Sequence, residues 1–293
     1  MKIRDAFLKQ TISLIAMLPF SIIYLLSDLS FFIVYYIVRY RRVIVYKNLT
    51  ESFPNKSNEE IKRIEKKFYR NLSDLQFEVI KSCKMTKDEL NERVVFKNQE
   101  VFDELYEKQR NVIVALGHCG NWEWTGNKIA LFLKHEGAAI YKPLLDSFFN
   151  DYMISLRQKY KGTLMINYKK TLRTLLSLGD KLYSVFMLAD QSPARTEINY
   201  WASFLGRETP FYMGMEKIAR ALNYAVVYLD IQRRKRGFYE IEIKLLSWEG
   251  NKTEPMEIMN SYINYLEDSI RSHPDNWLWS HRRWKYTKEE TLY

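Results

Sequence analysis

A histidine and a glutamate five residues apart, His118 and Glu123, are the pair in this sequence best suited to acid–base chemistry. An imidazole beside a carboxylate is the arrangement of a general base held in one tautomer by an acid, which also stabilises the imidazolium as it forms. On one continuous helix, residues at this spacing lie roughly 140° apart and share no face. A strand–turn–helix corner can bring them together, and residues 111–123, reading NVIVALGHCGNWE, predict one. Val112–Leu116 has the length and β-branched content of a buried strand, Gly117 and Gly120 punctuate it, and 122–135 reads as a helix. Strand ends opening into glycine turns are where α/β proteins place chemistry. The same pair is also the pattern of an ordinary structural hydrogen bond, so the local sequence alone leaves both readings open.

The elements that would hold this corner follow an alternating order. Strands are expected at 138–141, 163–166 and 182–188, with helices at 147–160 and 169–178 between them, so a largely parallel sheet with helices on its faces is predicted. Residues 225–232 and 238–246 read as a hairpin around the sequence RRKRG, which makes the sheet mixed. Upstream, Ser57 and Glu60 form the S-x-x-E capping signature of an amphipathic helix over 58–82, and Asn98 reads as the cap of another helix. A final amphipathic helix over 255–271 precedes a tail rich in Trp and Arg.

The N-terminus differs. Residues 10–27 carry no charge, and an apolar run continues over 29–38 after Asp28. Eighteen helical residues reach about 27 Å, close to the hydrocarbon thickness of a bilayer. With no small-residue cleavage site, the segment reads as an uncleaved anchor, residues 1–42, ahead of a single domain over 43–293. Basic residues flank it on both sides, which fits a bent or interfacial segment about as well as a span. The larger cluster follows it, so either geometry leaves the main domain cytoplasmic.

The chain has 293 residues, 47% of them hydrophobic, enough for one sizeable core. Two cysteines, Cys83 and Cys119, provide neither a disulfide framework nor metal spacing. A net charge of +10 favours anionic partners such as phospholipid head groups or an acidic protein; no nucleic-acid-binding motif accompanies it. Cys119 raises a thiol-nucleophile alternative, but its side chain diverges from that of adjacent His118 on extended backbone. His135 and His273 read as surface residues.

Several segments together resemble the bacterial lipid A biosynthesis acyltransferases, the late-acting lauroyl and myristoyl transferases. The residues that carry the resemblance are GHCGNWE with His118 and Glu123, Tyr141-Lys142-Pro143, Arg157 with Gly162, and Asp190-Gln191. Phe204-Leu205-Gly206 with Thr209 and the tail LWSHRRWK from Leu278 to Lys285 complete it. They fall in the family's order across nearly the whole chain. The sequence departs from the usual pattern at Lys142, at Asp146-Ser147 and at Leu205, changes that leave the catalytic motif intact and bear on the acceptor.

The resemblance implies a membrane-anchored enzyme on the cytoplasmic face of a bacterial inner membrane, with a glycerolipid-acyltransferase-like fold. It would move a fatty acyl chain from a thioester, acyl-acyl carrier protein or acyl coenzyme A, to a hydroxyl of a lipid A precursor, with no further cofactor or metal. Acyl carrier protein and a glycolipid acceptor are the implied partners. His118 would be the general base and Glu123 the group that orients it. Backbone N–H groups at the turn Gly120-Asn121 and at the helix start would bind the oxyanion, and Arg157 and Asp190 would be further active-site residues, against the alternative of a structural Arg–Asp ion pair. Trp277, Trp279 and Trp284 suit an interfacial surface or a cap on the core, and His281, Arg282, Arg283 and Lys285 a phosphate or acidic-protein contact. The alternatives are an acyltransferase for another glycolipid or aminolipid, and a non-catalytic lipid-binding protein.

Overall fold

The computed structural model describes residues 3–291. Four helices come first: α1 (Ile3–Met17), α2 (Phe20–Phe32, continued by a π-helical turn Ile33–Ile37), α3 (Arg42–Ser52) and α4 (Asn58–Ser82). After α5 (Lys87–Arg93), β1 (Val94–Phe96) and α6 (Glu100–Glu107), the chain enters β2 (Val112–Leu116) and α7 (Trp122–Phe132). It continues through β3 (Glu136–Tyr141), α8 (Ser147–Arg157), β4 (Leu164–Asn167), α9 (Thr171–Leu176) and β5 (Tyr183–Leu188). A small hairpin, β6 (Trp201–Phe204) and β7 (Arg207–Pro210), precedes α10 (Gly214–Leu222), β8 (Ala225–Lys235), β9 (Phe238–Ser247) and α11 (Glu257–Ser272).

Seven strands form one sheet in the order β1-β9-β8-β2-β5-β3-β4. From β8 to β4 neighbouring strands are parallel; β9 pairs antiparallel with β8, and β1 runs with β9, so the sheet is mixed and mostly parallel as the alternating pattern predicts. All five residues of β2 are buried. Alternate side chains serve two cores: Val112, Val114 and Leu116 pack on one face, Ile113 and Ala115 on the other. The expected capping box forms at Ser57 and Glu60, and α4 covers 58–82. The short elements α5, β1, β6 and β7 lie where the sequence gives only brief, mixed patterns. Asn98 does not cap a helix; its side-chain amide bonds the backbone of Ile243 in β9.

The N-terminal apolar run is divided differently from the expectation. Pro19 lacks an N–H and stands at the start of α2, so the charge-free stretch is split between α1 and α2. Among the described residues one helix, Phe20–Ile37, is long and apolar enough to cross a membrane, with Asp28 inside it and about a fifth of it buried, and it suggests membrane anchoring. Its buried residues Ile23, Ser27 and Phe31 lie on one face.

Candidate active site

The strand register decides which groups meet. Strands β2 and β5 run parallel with Leu116 opposite Leu188, and two residues further along each chain lie His118 and Asp190. The glycines let the backbone turn there. A Cβ on Gly117 would come within 2.5 Å of the Leu266 side chain of α11. Gly120 has φ +56°, and a Cβ on it would stand 2.8 Å from Ile231. Cys119 forms an isolated bridge with Trp277, and the Gly120 N–H donates to the Asn276 carbonyl, so the tail lies along the turn like an added strand.

His118 Nδ1 is 2.6 Å from Asp190 Oδ1, and the His118 backbone N–H donates to Oδ2 at 2.8 Å. Trp277 Nε1 donates to the same Oδ2 at 2.8 Å. Asp190 is buried, which pushes its carboxyl upward. The charge of a protonated His118 and the hydrogen bonds from His118 and Trp277 outweigh that, holding the group down at about 2. An ionised carboxylate can only accept, so Nδ1 carries a proton, and in the neutral form of the ring Nε2 presents its lone pair. The Gln191 side-chain amide lies 3.2 Å from that Nε2.

Glu123 has another partner. Arg157, at the end of α8, grips it with two hydrogen bonds, 3.0 Å from Nε and 2.6 Å from Nη2. Burial works against the Arg157 charge, but Glu123 more than offsets it and raises the guanidinium's pKa. Trp122 joins the two pairs: its ring packs edge-on to His118 at 4.9 Å, and its Nε1 donates to Glu123 at 3.2 Å. The ring of His118 is thus held by Asp190 and not by Glu123. Glu123 lies in the first turn of α7, facing α8, whereas Asp190 lies in register on the adjacent strand. An Arg157–Asp190 ion pair does not form; the two residues belong to separate pairs.

Gly120 and Asn121 are both at the turn, where the Gly120 N–H and the Asn121 side chain have partners within the protein. The Gly120 N–H is taken by Asn276. Asn121 is buried and caps α7, accepting from the Trp124 N–H at 2.9 Å, while its amide donates to Glu78 Oε2 at 2.8 Å. The first-turn N–H groups of Trp122 and Glu123 have no partner within the helix, as at any helix start. Glu78, buried on α4, also accepts from Tyr24 and Tyr239. Glu78 and the bond from Trp277 to Asp190 are the parts of the site that spacing does not reveal, since each arrives from another element.

The tail faces inward more than its composition suggests. Trp277 and Trp279 are buried and Trp284 is half-buried, so they cap the core. Arg283 is fully buried, donates to the Pro210 carbonyl and packs over the Phe211 ring; burial lowers its pKa to about 10. His281 accepts from the Ser192 N–H at 3.0 Å. Burial, with the nearby Arg283 charge, lowers its pKa to about 4. Only Arg282 and Lys285 of the expected basic set are exposed. Cys119 is buried, and burial together with the Asp190 and Asp230 charges pushes its thiol well above the ordinary value, which disfavours the thiolate a nucleophile needs. His135 is not at the surface: it is buried and bonds the Arg110 carbonyl at 2.9 Å. Among the described residues no three His, Cys, Asp or Glu side chains converge as metal ligands.

A small cleft of about 20 Å³ opens beside His118. Phe68, Leu72 and Leu75 of α4 form an apolar wall, with Trp122, Trp277 and Leu278 also lining it. Asn71, Arg233, Asp275 and Asn276 line the same space, so the imidazole borders walls that are part apolar and part polar.

Comparison with protein families matches residues 6–286 to the bacterial lipid A biosynthesis acyltransferase family. The chain belongs to that family. Comparison with curated proteins gives no match.

Proposed function

We propose that this lipid A biosynthesis acyltransferase moves a fatty acyl chain from acyl-acyl carrier protein to a hydroxyl of a lipid A precursor, with His118 as general base. The observation that carries the reading is the 2.6 Å contact between His118 Nδ1 and the buried Asp190 carboxylate, which in the neutral ring keeps the proton on Nδ1 and the lone pair on Nε2. An alcohol is a weak nucleophile at neutral pH. As the acceptor oxygen attacks the thioester carbonyl, Nε2 takes its proton, and Asp190 stabilises the imidazolium. The tetrahedral intermediate then collapses, the C–S bond breaks, and the imidazolium returns its proton to the departing thiolate. General-base assistance of this kind contributes about 10²–10⁴-fold. Candidate donors for the oxyanion are the first-turn N–H groups of α7 and the Gln191 amide.

In this reading Glu123 and Arg157 act as a pair that fixes the start of α7 against α8, and through Trp122 the edge of the imidazole. The basic net charge suits the acidic surface of a carrier protein, and the N-terminal apolar helix suits an enzyme whose acceptor is a lipid at the cytoplasmic face of the inner membrane. With both donors supplied to purified enzyme, the carrier-protein thioester is consumed far faster than acyl coenzyme A; comparable rates would make coenzyme A an equal donor.

The decisive experiment is mass spectrometry of lipid A from cells lacking the gene, restored with wild type or with His118→Ala. Loss of one acyl chain that wild type restores and the variant does not is the expected result. Unchanged lipid A would move the acceptor to another glycolipid or an aminolipid, and restoration by His118→Ala would remove the general-base role.

A further inference from the structure

The apolar N-terminal helix does not stand free of the protein. One face of α2 is buried against α4, where Ser27 donates to Asp74 and Tyr24 donates to Glu78 at 3.0 Å. Arg236, from the β8–β9 turn, holds the Tyr24 carbonyl at 3.1 Å and pairs with Asp28 at 2.8 Å. Helix α4 lies alongside and is rich in charge, with exposed Lys62, Arg63, Lys66, Lys67 and Arg70. A course of α2 straight through a bilayer would carry α4 and these charges into hydrocarbon, where each is costly. The opposite face of α2 is apolar and open: Leu25, Leu29, Phe32 and Ile37 are all more than half exposed. Helix α1 adds Ile3, Phe7, Leu14 and Met17 to the open apolar surface.

A second apolar element joins this surface from a distant part of the sequence. The loop after β3 exposes Leu144 and Leu145, the latter at 108% of its reference area, and Phe149 follows in the first turn of α8. Arg4 of α1 pairs with Asp146 of this loop at 2.9 Å, which sets α1 and the two leucines side by side. The loop leaves the C-terminal end of β3, the sheet edge from which β2 and β5 also deliver His118 and Asp190. Helix α8 then runs about 15 Å from the loop to Arg157, the partner of Glu123.

We propose that the open face of α1 and α2 and the loop Leu144–Leu145 with Phe149 enter one leaflet of a phospholipid bilayer together, so that the protein rides on the membrane surface and does not cross it. The sheet edge bearing His118 is then held at the level of the lipid head groups, and an acyl acceptor reaches the cleft without leaving the leaflet. Two exposed leucines and a phenylalanine are the apolar anchors of such a contact, and Lys9, Arg39 and Arg41 supply cations toward anionic head groups. The inference stands apart from the assigned chemistry, since membrane contact is read without turnover.

The test uses the full chain with Cys83→Ser as background, Cys119 being buried. In intact cells and inverted membrane vesicles, Lys9→Cys and Lys47→Cys are exposed to a membrane-impermeant maleimide. Both label only in inverted vesicles if the helices lie on the cytoplasmic leaflet; labelling of position 9 from outside would mean a span and overturn the proposal. Purified Leu145→Cys carrying an environment-sensitive nitrobenzoxadiazole label is then mixed with phosphatidylethanolamine–phosphatidylglycerol vesicles. Its emission rises about two-fold or more and is quenched by spin-labelled lipid, whereas the same label at Glu107→Cys, at the opposite sheet edge, does not respond. No response at position 145, or an equal one at 107, overturns the role of the loop. Leu144→Asp with Leu145→Asp lowers vesicle partitioning roughly ten-fold while the purified variant keeps the wild-type circular dichroism spectrum.

Discussion

Asp190→Asn separates the two carboxylates of the site. Oδ2 of Asp190 accepts from two donors, the His118 N–H and Trp277 Nε1, both at 2.8 Å. An asparagine must keep its one oxygen there, because an NH₂ group in that place would face two N–H donors. Its NH₂ group then occupies the position of Oδ1, 2.6 Å from His118 Nδ1 in the wild type. Facing a donor, Nδ1 must become the acceptor and the ring proton moves to Nε2. The imidazole keeps its place and loses the lone pair that would take the acceptor proton. In a Ser–His–Asp triad the corresponding amide substitution costs about 10⁴ in kcat through the same change of tautomer. A base contribution of about 10²–10⁴ sets the scale here, so kcat falls by about 10³ while KM changes by less than about three-fold.

The assay pairs single-turnover acyl transfer with ¹⁵N NMR of the histidine ring. Wild type reports a proton on Nδ1 and Asp190→Asn a proton on Nε2. Glu123→Gln disturbs the Arg157 pair and lowers activity through it, yet leaves the His118 tautomer unchanged. An Asp190→Asn enzyme within ten-fold of wild type, or one that keeps the Nδ1 proton, refutes the reasoning. So does a tautomer change in Glu123→Gln, which would return the orienting role to Glu123.

Three further outcomes follow from the same geometry. Cys119→Ala leaves kcat within about three-fold of wild type and costs about 1 kcal/mol in denaturant unfolding, the loss of one buried sulfur; abolished turnover would revive a thiol nucleophile. Gly120→Ala meets both a left-handed φ and a 2.8 Å approach to Ile231, so stability falls by about 2–4 kcal/mol and acyl transfer with it; a wild-type melting curve would show the turn to be more yielding. The pKa of His281 is lowered in the folded state to about 4, so the unfolded chain binds its proton first as pH falls. Stability is therefore lost between about pH 6.5 and 4 and levels off below, by about 2 kcal/mol after allowing for partial exposure. His281→Gln removes that slope from the pH dependence of unfolding, and an unchanged slope would mean that other groups produce it.

The fold was legible because its main signals are local. The alternation from Val112 onward, the S-x-x-E cap at Ser57 and the hairpin around RRKRG each depend on residues within one element, and each lies where expected. Pro19 could have been read as the break it makes, since a proline without an N–H belongs at a helix start. The partner of His118 was a different problem. A motif five residues long suggests its own terminal acid, and Glu123 is the nearest carboxylate in sequence. Which carboxylate reaches Nδ1 depends on the register of two strands 72 residues apart, in which Leu116 meets Leu188 and the next residues carry His118 to Asp190. Parallel register is set by side-chain packing on both faces of the sheet and leaves no mark in the spacing of either strand. The tail shows the same limit from the other side: Arg282 and Arg283 are adjacent and chemically identical, yet one is exposed and the other is fully buried against Phe211 and the Pro210 carbonyl. A basic run gives the charge available to a surface, and only the packing of α11 and the β6–β7 hairpin decides which of its members the surface keeps.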